Sequence, residues 1–203
     1  MGGRMRENTQ NGVGRAGFLG RAGLVAASAA GASLLLGPRP GERAEAQGAA
    51  EKRALNLALT VEYAEAEFYA EAVERGELQG ELRSFAEQVS GQEDEHLAFI
   101  KSALGSSAGA KPKFDFGNAT TDGDAFAERA AALEDLAVSA YAGQANNLSK
   151  KTLAAAATLV SVEARHAAWI RSIVGRPPAN EPTDKARTAE QVMNDLKRLG
   201  LKG

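Results

Sequence analysis

Cysteine is absent from all 203 residues. That excludes a lipoprotein anchor, thiol chemistry, iron–sulfur ligation and any cysteine-bound iron donor within the chain, and it leaves the fold without disulfide staples. Aromatic residues are few, with one Trp, three Tyr and seven Phe, and no basic stripe is interleaved with them. Nucleic acid is therefore not an expected partner. Strand signals are scarce, and histidine occurs only twice. No apolar run reaches the roughly 20 residues that a bilayer span requires.

The longest such run, Ala22 to Leu36, lies in a front segment rich in Gly, Ala and Arg. Arg4, Arg6, Arg15 and Arg21 against Glu7 make that front basic, and Ala44-Glu45-Ala46 offers a small-x-small cleavage site. The pattern predicts a signal peptide over residues 1–46, hence an exported protein with no stable membrane span after processing. Arg15-Ala16-Gly17-Phe18-Leu19 resembles the twin-arginine signal in degenerate form, with Ala16 in place of the second arginine. Residues 1–46 hold six of the 24 basic and three of the 26 acidic side chains, so the remaining 157 residues carry 18 basic against 23 acidic, a net charge of −5. A domain of about 150 residues buries a sizeable core unaided.

Beyond the leader the apolar period is near 3.6 throughout, which predicts an all-α domain of four long helices. The first spans about Glu51 to Glu74, with Leu55, Leu59, Glu62, Ala66, Tyr69 and Val73 facing inward. Glu65, Glu67, Glu71 and Glu74 fall beside or opposite that stripe and read as a solvated acidic face. The second, about Leu78 to Leu104, turns Leu82, Phe85, Val89, Glu93, His96, Ile100 and Ala103 inward. Residues 105–123 are too long for a tight turn and predict a long crossover. A third helix from about Asp124 to Leu148 carries Ala127, Ala130, Glu134, Val138, Tyr141 and Ala145 inward. The fourth follows Ser149 as N-cap and stops at Gly175, with Ala156, Leu159, Glu163, His166, Ile170 and Ile173 as its stripe. Residues 177–203 form a tail in which 185–199 predict a short amphipathic helix on the bundle surface.

Both histidines end a Glu-x-x-His step, Glu93-Asp94-Glu95-His96 and Glu163-Ala164-Arg165-His166. Residues three apart on a helix share a face, about 4.5 Å apart along the axis, so one ion can use both side chains. Glutamate fills 19 of 203 positions, which makes this double coincidence roughly a one-in-a-hundred event. Each pair is also preceded by a matching carboxylate, Glu62 before Glu93 and Glu134 before Glu163, and each of these is followed seven residues on by a tyrosine, Tyr69 and Tyr141. Four carboxylates and two imidazoles thus converge on one core, where unpaired charge is costly. Two divalent cations would balance the four glutamates with both histidines neutral. One glutamate from each of two helices plus Glu-x-x-His from each of the other two is the arrangement of ferritin-like di-iron and di-manganese bundles.

At these residues the chain resembles a bacterial ferritin-like domain of the exported kind related to plant desiccation-associated proteins. It is more distantly similar to bacterioferritins and rubrerythrins. The resemblance covers about residues 51–175, and its signatures are Leu55-Asn56 followed by Glu62 and Tyr69, Glu93 with His96, Leu133-Glu134 with Ala140-Tyr141, and Glu163 with His166. It implies a ferritin-like four-helix bundle over residues 47–176 with the crossover between helices 2 and 3. It further implies that Glu93 and Glu163 bridge two metals, that Glu62 and Glu134 bind one each, and that His96 and His166 cap one apiece. Tyr69 and Tyr141 would support catalysis by hydrogen-bonding to the ligands from behind.

Hard carboxylate oxygen with one imidazole per ion suits Fe or Mn better than Zn or Cu. The expected cofactors are two Fe ions, with two Mn ions as the alternative. The expected partners are dioxygen or hydrogen peroxide, for Fe(II) oxidation that protects against iron and oxidative stress. A di-manganese centre dismutating peroxide, or a non-enzymatic protective protein with a structural metal, are the rival readings. The oligomeric state, a homo-oligomer included, is left open by the sequence.

Overall fold

The computed structural model describes residues 40–179 and 181–202. Five helices follow one another: α1 (Pro40–Arg75), α2 (Gly80–Leu104), α3 (Gly123–Gln144), α4 (Lys150–Ile173) and α5 (Ala189–Leu199). Most of the expected leader, residues 1–39, lies outside the described residues; its last residues open α1, where Gly41, Glu42, Ala44, Glu45 and Ala46 are exposed. Among the described residues no helix is long and apolar enough to cross a membrane.

The helix ends follow from local chemistry. The Asp122 side chain accepts from Ala125 N at 2.8 Å and opens α3, and Ser149 Oγ accepts from Thr152 N and opens α4. Gly105, at φ 54°, stops α2 by donating its N–H to Lys101 O, a left-handed conformation that glycine adopts without penalty. Thr188 and Gln191 form a reciprocal capping box on α5.

Helices α1 to α4 form an all-helical bundle. Tyr69 reaches Glu134 and Tyr141 reaches Glu62, so α1 and α3 run antiparallel. Gln92 pairs with His166 and Phe85 stacks edge-on against Trp169, so α2 and α4 do the same. The crossover from α2 to α3 contains two 3-10 turns and is pinned to the C-terminus. Asp115 N donates to Gly200 O, Lys202 N donates to Lys113 O, and Phe114 bridges to Leu201. Helix α5 is amphipathic as expected but sits deeper than a surface helix: Val192 and Leu196 are fully buried and join the main core with Phe68, Phe85 and Phe126. Burying each such side chain contributes about 1.5–3 kcal/mol. The strand-like approach to α5 also presses on α3, where Arg187 N donates to Ser139 O. Any β-carbon at Gly143 would overlap the Arg187 carbonyl.

Two expectations about the stripes need correction. Val73 and Ala103 are exposed, and their neighbours Ala72 and Leu104 are buried instead. A straight helix drifts against a fixed repeat, so the ends of a long stripe rotate out of the core.

Candidate metal centre

The bundle core is divided into two apolar clusters. One holds Tyr69 with Phe68, Phe85 and Phe126; the other holds Tyr141 with Leu59, Ile100 and Leu159. Between them lie Glu62, Glu93, Glu134 and Glu163, all fully buried, together with His96 and His166. The helices bring all six predicted ligands together, one carboxylate from each of α1 and α3 and a Glu-x-x-His pair from each of α2 and α4.

The oxygens are distributed with approximate twofold symmetry. Nδ1 of His96 faces Glu163 Oε1 at 2.7 Å, Glu93 Oε2 at 3.1 Å and Glu62 Oε2 at 3.4 Å. Nδ1 of His166 faces Glu93 Oε1 at 3.2 Å, Glu134 Oε2 at 3.3 Å and Glu163 Oε2 at 3.4 Å. Glu93 and Glu163 therefore offer one oxygen to each imidazole, whereas Glu62 and Glu134 each serve one side. Potential ligand atoms of Glu62, Glu93, His96 and Glu163 lie within 4.8 Å of one another, and so do those of Glu93, Glu134, Glu163 and His166. The tyrosines cross between helices: Tyr141 O–H donates to Glu62 Oε1 at 2.5 Å, and Tyr69 O–H donates to Glu134 Oε1. Each hydroxyl occupies the outer oxygen and leaves Oε2 turned toward the imidazole.

A family profile described as a ferritin-like domain matches residues 50–176. The chain belongs to the ferritin-like domain family. No curated protein matches it. In this ferritin-like domain the donor set fits a pair of cations on an observation independent of the match. Eight buried side-chain atoms at the centre lack an aligned hydrogen-bond partner: Glu62 Oε2, Glu93 Oε1, Glu134 Oε2, His166 Nδ1 and both oxygens of Glu65 and of Glu163. Buried polar atoms normally find partners, and here six of the predicted ligands' atoms point at one another instead. Gln92 Oε1 lies 2.5 Å from His166 Nε2. With Nε2 donating there, Nδ1 carries the lone pair a metal needs.

Protons hold the ligand shell together when no cation does. Burial would lower both imidazoles, but the surrounding carboxylates outweigh it. Glu163, Glu62 and Glu93 push His96 up to about 12, and Glu134, Glu163 and Glu93 push His166 up to about 11. Burial, reinforced by Glu163, raises Glu62 to about 8, and burial likewise lifts Glu134. Glu163 moves the other way, to about 2, because His166 and His96 overcome its burial. The neutral histidines expected beside two cations thus give way to imidazolium when the site holds no ion. Proximity lets imidazolium and shared protons neutralise much of that charge.

Glu65 corrects a second expectation. Set on a solvated face by its position beside the stripe, it is fully buried in the protein. Glu67 and Glu71, by contrast, stay near the surface and pair with Lys111 and Arg75. The missed signal was the set of residues three and four positions from Glu65: Val61, Phe68 and Tyr69 are apolar or aromatic, so the apolar arc runs past the stripe and takes Glu65 in, while Glu67 keeps the polar side.

A cleft of about 430 Å³ opens over the two imidazoles between α2 and α4, walled by Gln88, Gln92, Glu95, Val162, Arg165 and Trp169. It opens the histidine side of the cluster to small molecules.

Proposed function

We propose that this ferritin-like domain is exported and holds two iron ions, oxidising Fe(II) with dioxygen or hydrogen peroxide to protect against iron and peroxide outside the cytoplasm. The observation that carries the reading is the sharing of Glu93 and Glu163 between two ligand sets, one oxygen to each. Such sharing suits two ions side by side better than one. A bound iron pair supplies the two electrons that dioxygen or peroxide accepts.

The protein's own part is to hold and orient. Glu62, Glu93, Glu163 and His96 would take one ion, and Glu93, Glu134, Glu163 and His166 the other. Tyr141 and Tyr69 fix the terminal glutamates by their outer oxygens, so that the inner oxygens need not reorganise on metal binding. The apolar clusters on either side keep water from the carboxylates. The same hard donors accept manganese, so the metal present decides between iron oxidation and peroxide dismutation. Export rests on the basic and apolar residues 1–46; an export-dependent reporter fused to residues 1–50 that stays silent would remove that part alone.

The test combines elemental analysis of protein from its native host with Fe(II) oxidation in air. Iron at two per chain, and near-ultraviolet absorbance rising faster with metal-free protein than in buffer, is the expected result. Protein that binds two ions yet oxidises Fe(II) no faster than buffer contradicts the ferroxidase reading and transfers the site to manganese or to a structural role.

A further inference from the structure

The two imidazoles of the centre are matched in front and unmatched behind. Nδ1 of each faces three carboxylate oxygens. Behind His166, Gln92 Oε1 lies 2.5 Å from Nε2. An amide oxygen only accepts, so Nε2 carries the proton, and the bond fixes both the tautomer and the plane of the ring. Gln92 stands just before Glu93 in the chain. Under the approximate twofold relation between the two Glu-x-x-His helices its mate is the residue just before Glu163, which is Val162. Val162 borders the same cleft but has no polar atom on its side chain.

Among the described residues His96 is held through Nδ1 alone, and the other polar side chains of the cleft do not serve its outer nitrogen. Arg165 is bonded to Ser161 on its own helix and, as a donor only, has nothing to accept with. Glu95 adjoins His96 in the chain, and side chains one apart on a helix do not face each other. Gln88 lies eight residues earlier on α2, about 12 Å along the axis. The outer side of His96 therefore turns to the cleft, and its side chain is 8 % exposed against 4 % for His166. A histidine ligand that donates its other N–H to a fixed acceptor is oriented and made more basic, and one that turns it to solvent gains neither.

We propose that Gln92 is a positioning residue that divides the centre into a firm and a labile half: the metal position at His166 is preorganised and fills first, and the position at His96 fills second and exchanges its ion through the cleft. This rests on the metal-centre reading above. The six candidate ligands do not by themselves make this difference. Each position draws on one oxygen of Glu93, one of Glu163 and a terminal glutamate supported by a tyrosine, so the inequality enters through the Gln92 and Val162 pair behind the rings. Such a division lets one ion be exchanged while the other stays.

The experiment is calorimetric titration of the metal-free chain with Mn(II) under nitrogen on wild type, Gln92→Leu and Gln92→Glu, joined to nitrogen-15 NMR of the imidazoles in the metal-free chain. Wild type is expected to bind two ions in steps at least about tenfold apart, since groups behind a ligand change metal affinity by about 10- to 100-fold. Gln92→Leu keeps the bulk and loses the acceptor, so the tighter step should weaken at least about tenfold while the weaker one is unchanged. Gln92→Glu keeps an acceptor and should retain the wild-type division. Without metal, the Nε2 proton of His166 should exchange slowly with water in wild type and fast in Gln92→Leu, whereas that of His96 exchanges fast in both. Two indistinguishable steps in wild type, Gln92→Leu with both steps unchanged, or a His166 proton that exchanges as fast as that of His96 overturns the proposal and leaves the metal-centre reading standing. Both steps weakening together in Gln92→Leu, or Gln92→Glu losing the division as well, assigns Gln92 to packing and likewise overturns it. Wild type that takes up no pair of ions overturns the metal-centre reading, and the proposal with it.

Discussion

Filling the centre with metal must expel protons, and their number follows from the groups that hold them. At pH 7 His96, raised to about 12, and His166, raised to about 11, are both protonated. Glu62, at about 8, keeps most of another proton, while Glu163, at about 2, has none to give. A metal ligand has to be deprotonated, so loading two divalent ions should release about three protons per chain, and Glu134, raised by burial, adds to that number. The overall two-ion affinity should then rise with pH near neutrality by about 4 kcal/mol per pH unit, at about 1.36 kcal/mol for each proton. Titrating metal-free protein with Mn(II) by calorimetry, in buffers of different ionisation enthalpy, reads the proton count directly. Release of fewer than about one proton per pair of ions would refute the reasoning, because the imidazoles would then already be neutral.

Stability of the metal-free chain should fall as pH rises. The raised group Glu62 stabilises the fold fully below the ordinary carboxylate pKa and loses that contribution as pH climbs through about 8; the histidines follow from about 6.5 up through 11 to 12. Thermal melts without metal that are no less stable at pH 9 than at pH 6 would contradict this. Tyr141→Phe removes the donor on Glu62 Oε1 and should weaken one metal-binding step about 10- to 100-fold with the fold intact, read by the same titration. Leu196→Ala empties a fully buried position on α5 and should cost about 2–5 kcal/mol in urea unfolding; a loss under about 1 kcal/mol would show that the tail helix is peripheral.

The candidate ligands were legible because their signal is local. Glu93 with His96 and Glu163 with His166 need only the three-residue spacing of a helix, and Glu62 and Glu134 betray themselves by repeating one pattern at nearly equal distances. Helix ends such as Ser149 were legible for the same reason, since an N-cap acts within one turn. The apolar stripes carried the existence of α1 to α4, and residues 105–123 were too long for a tight turn.

What the sequence alone determined, then, is everything written within a turn or two of helix: four amphipathic segments, six inward side chains that could hold metal and the crossover between the second and third helices. The tertiary structure decided the rest. That Glu93 and Glu163 each divide their oxygens between the imidazoles depends on where four separate helices meet. That Tyr69 serves Glu134 and Tyr141 serves Glu62, each across the bundle rather than along its own helix, depends on the antiparallel pairing of α1 and α3. Glu65 is the clearest case. A single stripe places it outside, but α1 packs against α2, α3 and α5 together, and a helix with neighbours on several sides buries a wider arc than its own periodicity marks.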